Sequence, residues 1–114
     1  MIVESQNNPL AVRHTARGEL HEVGILQITR RCVEDTNRII GRRVYRWPED
    51  CYSKERSVEI AIVYLGHYGR AMQRETGREP TYQDLARIWN GGPHGHQRRS
   101  TLPYWQRVER VLAR

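Results

Sequence analysis

The longest helical pattern in the chain is KERSVEIAIVYLGHYGRAMQRE, residues 54–75. Apolar side chains recur there every three or four residues, and Gly77 can end the helix. These side chains are Val58, Ala61, Ile62, Leu65, Tyr68 and Met72. Other sides of the same helix also carry apolar residues, namely Ile60, Val63, Tyr64 and Ala71. The pattern therefore predicts a central buried helix that the rest of the domain surrounds.

A shorter helical pattern precedes this one. Residues 27–40 place apolar side chains at helical spacing, and Gly41 can cap the end of that helix. The apolar positions are Ile28, Cys32, Val33, Ile39 and Ile40. The preceding segment is polar and irregular and contains Gly18. We therefore predict a small irregular or β-hairpin insertion near residues 10–24.

Two further helix signals lie in the C-terminal part of the chain. Thr81 can cap a helix start, and Asp84, three residues on, can reach back to it. That helix is predicted to stop near residues 90–93, where two glycines precede a proline. A final helix is predicted over residues 103–113, because proline suits a first helical turn. With 114 residues, the chain is predicted to form one small, mainly α domain around a single core.

The chain is strongly basic, with a net charge of +6 and 18 arginines among its 19 basic residues. Such a charge attracts anionic polymers such as nucleic acid, cell-wall polymers or acidic membranes. The arginines are scattered, and no zinc finger, helix-turn-helix signature or arginine-rich arm stands out. Charge thus favours a polyanionic partner without identifying it. We expect no membrane span and find no secretory signal before the first motif.

The sequence contains two cysteines, Cys32 and Cys51. A single disulfide between them and two reduced, partly buried thiols are the open alternatives, and the redox compartment decides between them. His94 and His96 flank Gly95, but no further ligand-type residues cluster with them. We therefore expect no metal site at these histidines.

Glu4 lies in the stretch VESQNNP, residues 3–9. A helix is expected to end there, because proline disfavours helical geometry in the residue before it and asparagine suits a helix end. A carboxylate in the last helical turn faces the negative end of the helix dipole, which favours its protonated form. A carboxyl group that keeps its proton is what a general acid requires. The alternative is an ordinary surface glutamate near a chain terminus.

Three short motifs follow one another at predicted helix boundaries. They are Glu4-Ser5, Gly24-Ile25-Leu26-Gln27 and Ile88-Trp89-Asn90-Gly91-Gly92. In this order and spacing the chain resembles the lysozyme-like superfamily, in particular the branch of soluble lytic transglycosylases and goose-type lysozymes. The match extends over nearly the whole length. The resemblance implies a single lysozyme-like helical domain over residues 1–114.

The resemblance also implies a role for each matching residue. Glu4 would be the general acid, and Ser5 would help to hold its environment. Gln27 would line the sugar-binding groove, and Asn90 would contact the substrate or brace the acid. Trp89 would contribute an aromatic ring that can stack on a sugar face.

The implied reaction is cleavage of the β-1,4 bond between N-acetylmuramic acid and N-acetylglucosamine in peptidoglycan. Glu4 would protonate the leaving oxygen as positive charge develops on the sugar ring. Attack by the muramic acid 6-hydroxyl would give a 1,6-anhydro product, whereas attack by water would make the enzyme a lysozyme. Glu19 and Glu22 are candidates for a second acid on the water route, and ordinary solvated loop charge is the alternative for both. The reaction needs no cofactor, and its site would be the bacterial cell envelope.

Two features of the chain depart from the family pattern. Trp89 stands where the family usually has tyrosine, and an indole can only donate, through its ring nitrogen. Only three residues precede Glu4, so the family's first helix would be truncated. An alternative interpretation is a non-catalytic lysozyme-like module that binds a glycan or a protein. A third is a basic nucleic-acid-binding protein, because aromatic rings can stack on bases while arginines hold phosphates.

Overall fold

The computed structural model describes residues 12–14, 20–24 and 26–113. These residues are mainly helical and include a small three-stranded antiparallel sheet, which confirms the predicted mainly α class. The chain divides into two compact units, residues 1–64 and 65–114. The boundary between them falls within the longest helix.

The first unit contains the sheet. Its strands are β1 (Val12–His14), β2 (Leu20–Val23) and β3 (Ile28–Thr29), in the order β1-β2-β3. Val23 lies opposite both Val12 and Ile28 and is fully buried. The predicted hairpin near residues 10–24 is therefore present as the pair β1 and β2, and β3 extends it by one strand.

Helix α1 (Arg30–Ile40) follows β3 directly. Its start is set by Thr29, whose side chain accepts a hydrogen bond from the Cys32 backbone N–H over 3.1 Å. Its end is set by Gly41, which has a φ of 94° and so takes a conformation that suits glycine. The helix begins three residues later than predicted because Ile28 and Thr29 pair with β2 instead.

The long helix α2 (Lys54–Thr76) matches the predicted span and ends beside Gly77. Its buried side chains recur at helical spacing along one stripe, at Ser57, Ile60, Tyr64, Tyr68 and Met72. Val58 and Ile62, which were expected to face the core, are 43% and 67% exposed. The predicted burial on several sides is therefore wrong. The helix has more apolar positions than its buried stripe can cover, so neighbouring positions face solvent.

The second unit contains helices α3 (Tyr82–Gly91) and α4 (Leu102–Leu112), joined by the 3-10 turns Gly95–Gln97 and Arg99–Thr101. The predicted capping box is present, because Thr81 and Asp84 exchange hydrogen bonds at the start of α3. Helices α3 and α4 contact each other and bury four apolar side chains. These are Ala86, Ile88, Tyr104 and Val108.

The helices of the described residues are too short or too polar to cross a membrane. This agrees with the expectation from the sequence.

Candidate functional site

Three of the predicted site residues, Glu4, Ser5 and Glu19, lie outside the described residues. Their roles stay predictions. The other candidates, Glu22, Gln27, Trp89 and Asn90, belong to described elements or turns.

Glu22 lies in strand β2 rather than in a loop. It is the cross-strand partner of Arg13, and one of its carboxylate oxygens lies 3.3 Å from Arg13 Nη1. The Glu22 side chain is 18% exposed, whereas that of Arg13 is 66% exposed. The alternative of a freely solvated loop acid is therefore wrong for Glu22, because strand pairing sets its position and an arginine accompanies it.

Gly24 and Gln27, the first and last residues of the Gly-Gln motif, lie at the turn between β2 and β3. Gln27 has a φ of 49°, which is uncommon for a residue with a side chain. Its backbone N–H and its side-chain amide both donate to the carbonyl oxygen of Gly24, over 3.1 Å and 2.7 Å. The side chain is buried, with 7% of the residue exposed. Gln27 therefore stabilises the turn that leads into β3 and α1, and its predicted contact with sugar is untested.

Backbone strain of this kind concentrates at functional sites. Gln27 is a non-glycine residue with a positive φ in the described part of the chain. The sequence does not indicate this positive φ at Gln27, because the conformation depends on the pairing of the two flanking strands.

Trp89 and Asn90 lie in the last turn of α3. Trp89 is half-buried, whereas Asn90 is exposed. The Asn90 amide makes no side-chain hydrogen bond to any residue that the structure describes. An exposed amide with free donors and an acceptor can bind a polar ligand such as a sugar.

The loop after Asn90 is held by contacts between residues that the sequence analysis did not single out. Thr101 is fully buried, and its hydroxyl oxygen accepts a hydrogen bond from Arg87 Nε over 2.8 Å. The same hydroxyl lies 2.7 Å from the carbonyl oxygens of Gly95 and Arg98, to either of which it can donate. Arg87 also donates through Nη2 to the Arg98 carbonyl over 3.0 Å. These bonds give the segment beside Asn90 a defined shape.

Gly95 packs directly against helix α3 in this loop. A Cβ atom at position 95 would overlap the carbonyl oxygen of Arg87. A glycine is therefore required there for close approach of the two backbones. In the sequence, this close approach is indicated only weakly, by a glycine that lies between two histidines.

The two histidines of this loop differ in their surroundings. His94 is exposed, whereas His96 is buried, and neither ring nitrogen of His96 has a hydrogen-bond partner among the residues that the structure describes. Across residues 12–14, 20–24 and 26–113, the His, Cys, Asp and Glu side chains form no group of three that could hold a metal ion. The geometry thus supplies no ligand set around His94 and His96.

Cys32 and Cys51 are free thiols in the structure. Burial raises the pKa of the Cys32 thiol to about 12, with further contributions from Cys51 and Asp35. Burial likewise raises the pKa of Cys51 to about 12, with contributions from Asp50 and Glu49. Both thiols are therefore protonated at neutral pH and are weak nucleophiles.

Comparison with known proteins finds no matching family model and no matching curated protein. The functional assignment therefore rests on the residues and their geometry.

Proposed function

We propose that this protein is a peptidoglycan-cleaving glycosidase of the lysozyme-like type, either a lytic transglycosylase or a lysozyme. The observation that carries the proposal is the order of the three motifs along a mainly helical chain. The second motif forms the turn before β3, and the third ends α3. Motifs at the ends of elements suit a site, because such positions present side chains from a rigid scaffold.

In the proposed reaction, Glu4 donates its proton to the glycosidic oxygen between N-acetylmuramic acid and N-acetylglucosamine. The positive charge that develops on the sugar ring is then quenched by the 6-hydroxyl of the muramic acid or by water. Asn90 contributes hydrogen bonds to the substrate through its exposed side-chain amide. Trp89 contributes an aromatic face or its indole N–H.

The charge of the protein suits this substrate. Peptidoglycan is anionic, and a net charge of +6 draws an anionic polymer toward the protein. The site of action would be the bacterial cell envelope.

Digestion of purified peptidoglycan, followed by mass spectrometry of the products, tests the proposal. Anhydro ends identify a transglycosylase and new reducing ends a lysozyme. The Glu4→Gln variant is expected to release no products while keeping its circular dichroism spectrum. Glu109→Gln, which changes an exposed glutamate on α4, is the matched control and is expected to keep full activity. Unchanged lysis by Glu4→Gln would remove Glu4 from the mechanism.

A non-catalytic binding module is the second candidate, because Trp89 replaces the tyrosine expected from the resemblance. It predicts binding of peptidoglycan fragments without any released product, even at high protein concentration. Detection of muropeptides would exclude it.

A further inference from the structure

A cavity lies within the first unit, between α1 and the connection that follows it. Its volume is about 340 Å³, at the lower end of the range for small-molecule sites. The residues that line it combine an aromatic wall with charges of both signs. They are Tyr45, Trp47, Arg30, Arg43, Glu34 and Glu49, with Val33, Asn37 and Arg46 completing the lining.

The wall of this cavity is held by Asn37, one turn before the end of α1. Its side-chain oxygen accepts hydrogen bonds from the backbone N–H groups of Val44 and Tyr45, over 3.0 Å and 2.9 Å. Its side-chain nitrogen donates to the Tyr45 carbonyl over 2.9 Å. Tyr45 is itself buried, and its hydroxyl donates to Glu59 over 2.8 Å. The cavity is therefore preformed, which lowers the entropic cost of binding a ligand.

The charges around the cavity fall into two groups. Arg46 is already satisfied, because it pairs with Asp50 through its backbone N–H and its guanidinium. Arg30 and Arg43, in contrast, form no ion pair or side-chain hydrogen bond with any residue that the structure describes. The same is true of Glu34 and Glu49 within these described segments. Among the described residues, therefore, Arg30, Arg43, Glu34 and Glu49 bring two cations and two carboxylates to the cavity without ion-pair partners.

This balance of charge limits the class of ligand. A phosphate dianion would gain from the two arginines but would also face both carboxylates, and like charges repel. A ligand with one carboxylate and one ammonium group can engage both kinds of side chain. Arginine binds carboxylates through paired hydrogen bonds, and Trp47 offers an apolar face for the body of the ligand.

We propose that this cavity binds a short zwitterionic peptide, with its carboxylate on Arg30 and Arg43 and its ammonium group on Glu34 and Glu49. The proposal is independent of glycan cleavage. A peptide with both charges can be free in solution or attached to a glycan strand, and the experiment below separates the two sources.

Trialanine is a suitable probe, because it carries one carboxylate and one ammonium group on an apolar body. Titration into the ¹⁵N-labelled full chain is expected to shift the backbone amide signals of residues 43–47 saturably. Acetylated and amidated trialanine, which lacks both charges, is expected to bind at least tenfold more weakly. Equal binding of the capped peptide, tighter binding of inorganic phosphate at these residues, or no binding of trialanine would each overturn the proposal.

The sequence supplies matched controls for the two arginines. Arg43 lines the cavity whereas its neighbour Arg42 does not, and Arg30 lines it whereas Arg31 does not. Arg43→Gln and Arg30→Gln are each expected to weaken trialanine binding about tenfold or more, the effect of losing a charge-assisted hydrogen bond. Arg42→Gln and Arg31→Gln are expected to bind normally. If all four variants weakened trialanine binding equally, the effect would come from the overall charge of the protein, and the proposed site would be refuted.

Two further measurements identify the source of the peptide and separate this site from the proposed active site. A disaccharide carrying a zwitterionic peptide is expected to displace trialanine if glycan-attached peptides are the source, whereas a peptide-free disaccharide is not. Failure of the peptide-bearing disaccharide to compete would assign the site to free peptides. Glu4→Gln is expected to keep trialanine binding, so loss of lysis and loss of peptide binding are distinguishable.

Discussion

The Thr101 hydroxyl accepts a hydrogen bond from Arg87 Nε over 2.8 Å, which joins helix α3 to the turn that starts α4. Thr101 is fully buried, and its hydroxyl also reaches the carbonyls of Gly95 and Arg98. The hydroxyl therefore accepts from helix α3 and donates its one proton to either of the two carbonyls, which links the helix to the loop before α4. Because the turns of this loop belong to the segment that follows Asn90, the pair shapes the chain after the candidate sugar-binding residue.

Thr101→Val is expected to lower the free energy of unfolding by about 2 kcal/mol. Valine keeps the shape of the side chain but leaves buried polar groups without their partner. Urea denaturation measures the change. Ser100→Ala is the matched control, because Ser100 is the exposed neighbour, and this variant is expected to stay within about 0.5 kcal/mol of the parent. Equal stability of Thr101→Val and the parent would contradict a stabilising role for the hydroxyl.

Asp84 is expected to make stability depend on pH. The two hydrogen bonds from Arg78, over 2.6 Å and 3.1 Å, lower the pKa of its carboxyl group most. Burial raises the pKa of Asp84, whereas hydrogen bonds from the Thr81 backbone N–H and hydroxyl lower it further. The net result is a pKa of about 2. The folded-state pKa lies below the unfolded value of about 3.9, so the stabilisation is present above about pH 4. It is lost as the pH falls through about 2.

Measuring the free energy of unfolding by urea denaturation at pH values from about 5 down to about 2 tests this dependence. Asp84→Asn is expected to be less stable at pH 5 and to lose much less stability toward pH 2 than the parent does. Glu79→Gln, which alters an exposed carboxylate nearby, is expected to keep the parent's pH profile. Parallel profiles for Asp84→Asn and the parent would show that Asp84 is not the titrating group.

His96→Phe is expected to raise the free energy of unfolding by about 1 kcal/mol. Both ring nitrogens of His96 are buried and have no hydrogen-bond partner in the described part of the chain, and an unsatisfied buried polar group is unfavourable. Phenylalanine keeps the ring while removing the polar atoms. His94→Phe changes the exposed neighbour and is expected to bring no such gain. A clear loss of stability in His96→Phe, measured by thermal unfolding, would mean that the imidazole has a polar role.

Asn90→Ala is expected to slow the release of muropeptides about tenfold without lowering the melting temperature. The side chain is exposed and makes no hydrogen bond to the described part of the protein, so we expect its loss to affect the proposed substrate contacts and not the fold. Gln106→Ala, at an exposed position of α4, is expected to keep full activity. An unchanged rate in Asn90→Ala would exclude Asn90 from substrate binding.

Much of the helical structure could be predicted from local signals. The capping box of Thr81 and Asp84, the glycine at position 41 and the periodicity of residues 54–75 each act within a few neighbouring residues. Such interactions depend on sequence spacing alone, so helix ends were located to within three residues.

The candidate site was less accessible to sequence reasoning. The motif containing Gln27 was recognised, but its left-handed conformation and inward side chain follow from the pairing of β2 with β3. For Glu22, the alternative to a second acid was a solvated loop charge, whereas strand pairing sets it beside Arg13. Arg87 and Thr101 carry no local signal, because their contact joins residues 14 positions apart.

The amino-acid sequence by itself determined the mainly α class, the helix boundaries and the basic charge, because these depend on composition and short-range spacing. Only the tertiary structure decided that Ser57 and Ile60 are buried while Val58 and Ile62 are exposed. It also assembled the cavity from residues spread between Arg30 and Glu49. Both outcomes depend on contacts between segments that are distant in sequence. In the long helix, the apolar pattern allows several faces to be buried, and packing against other segments selects one of them.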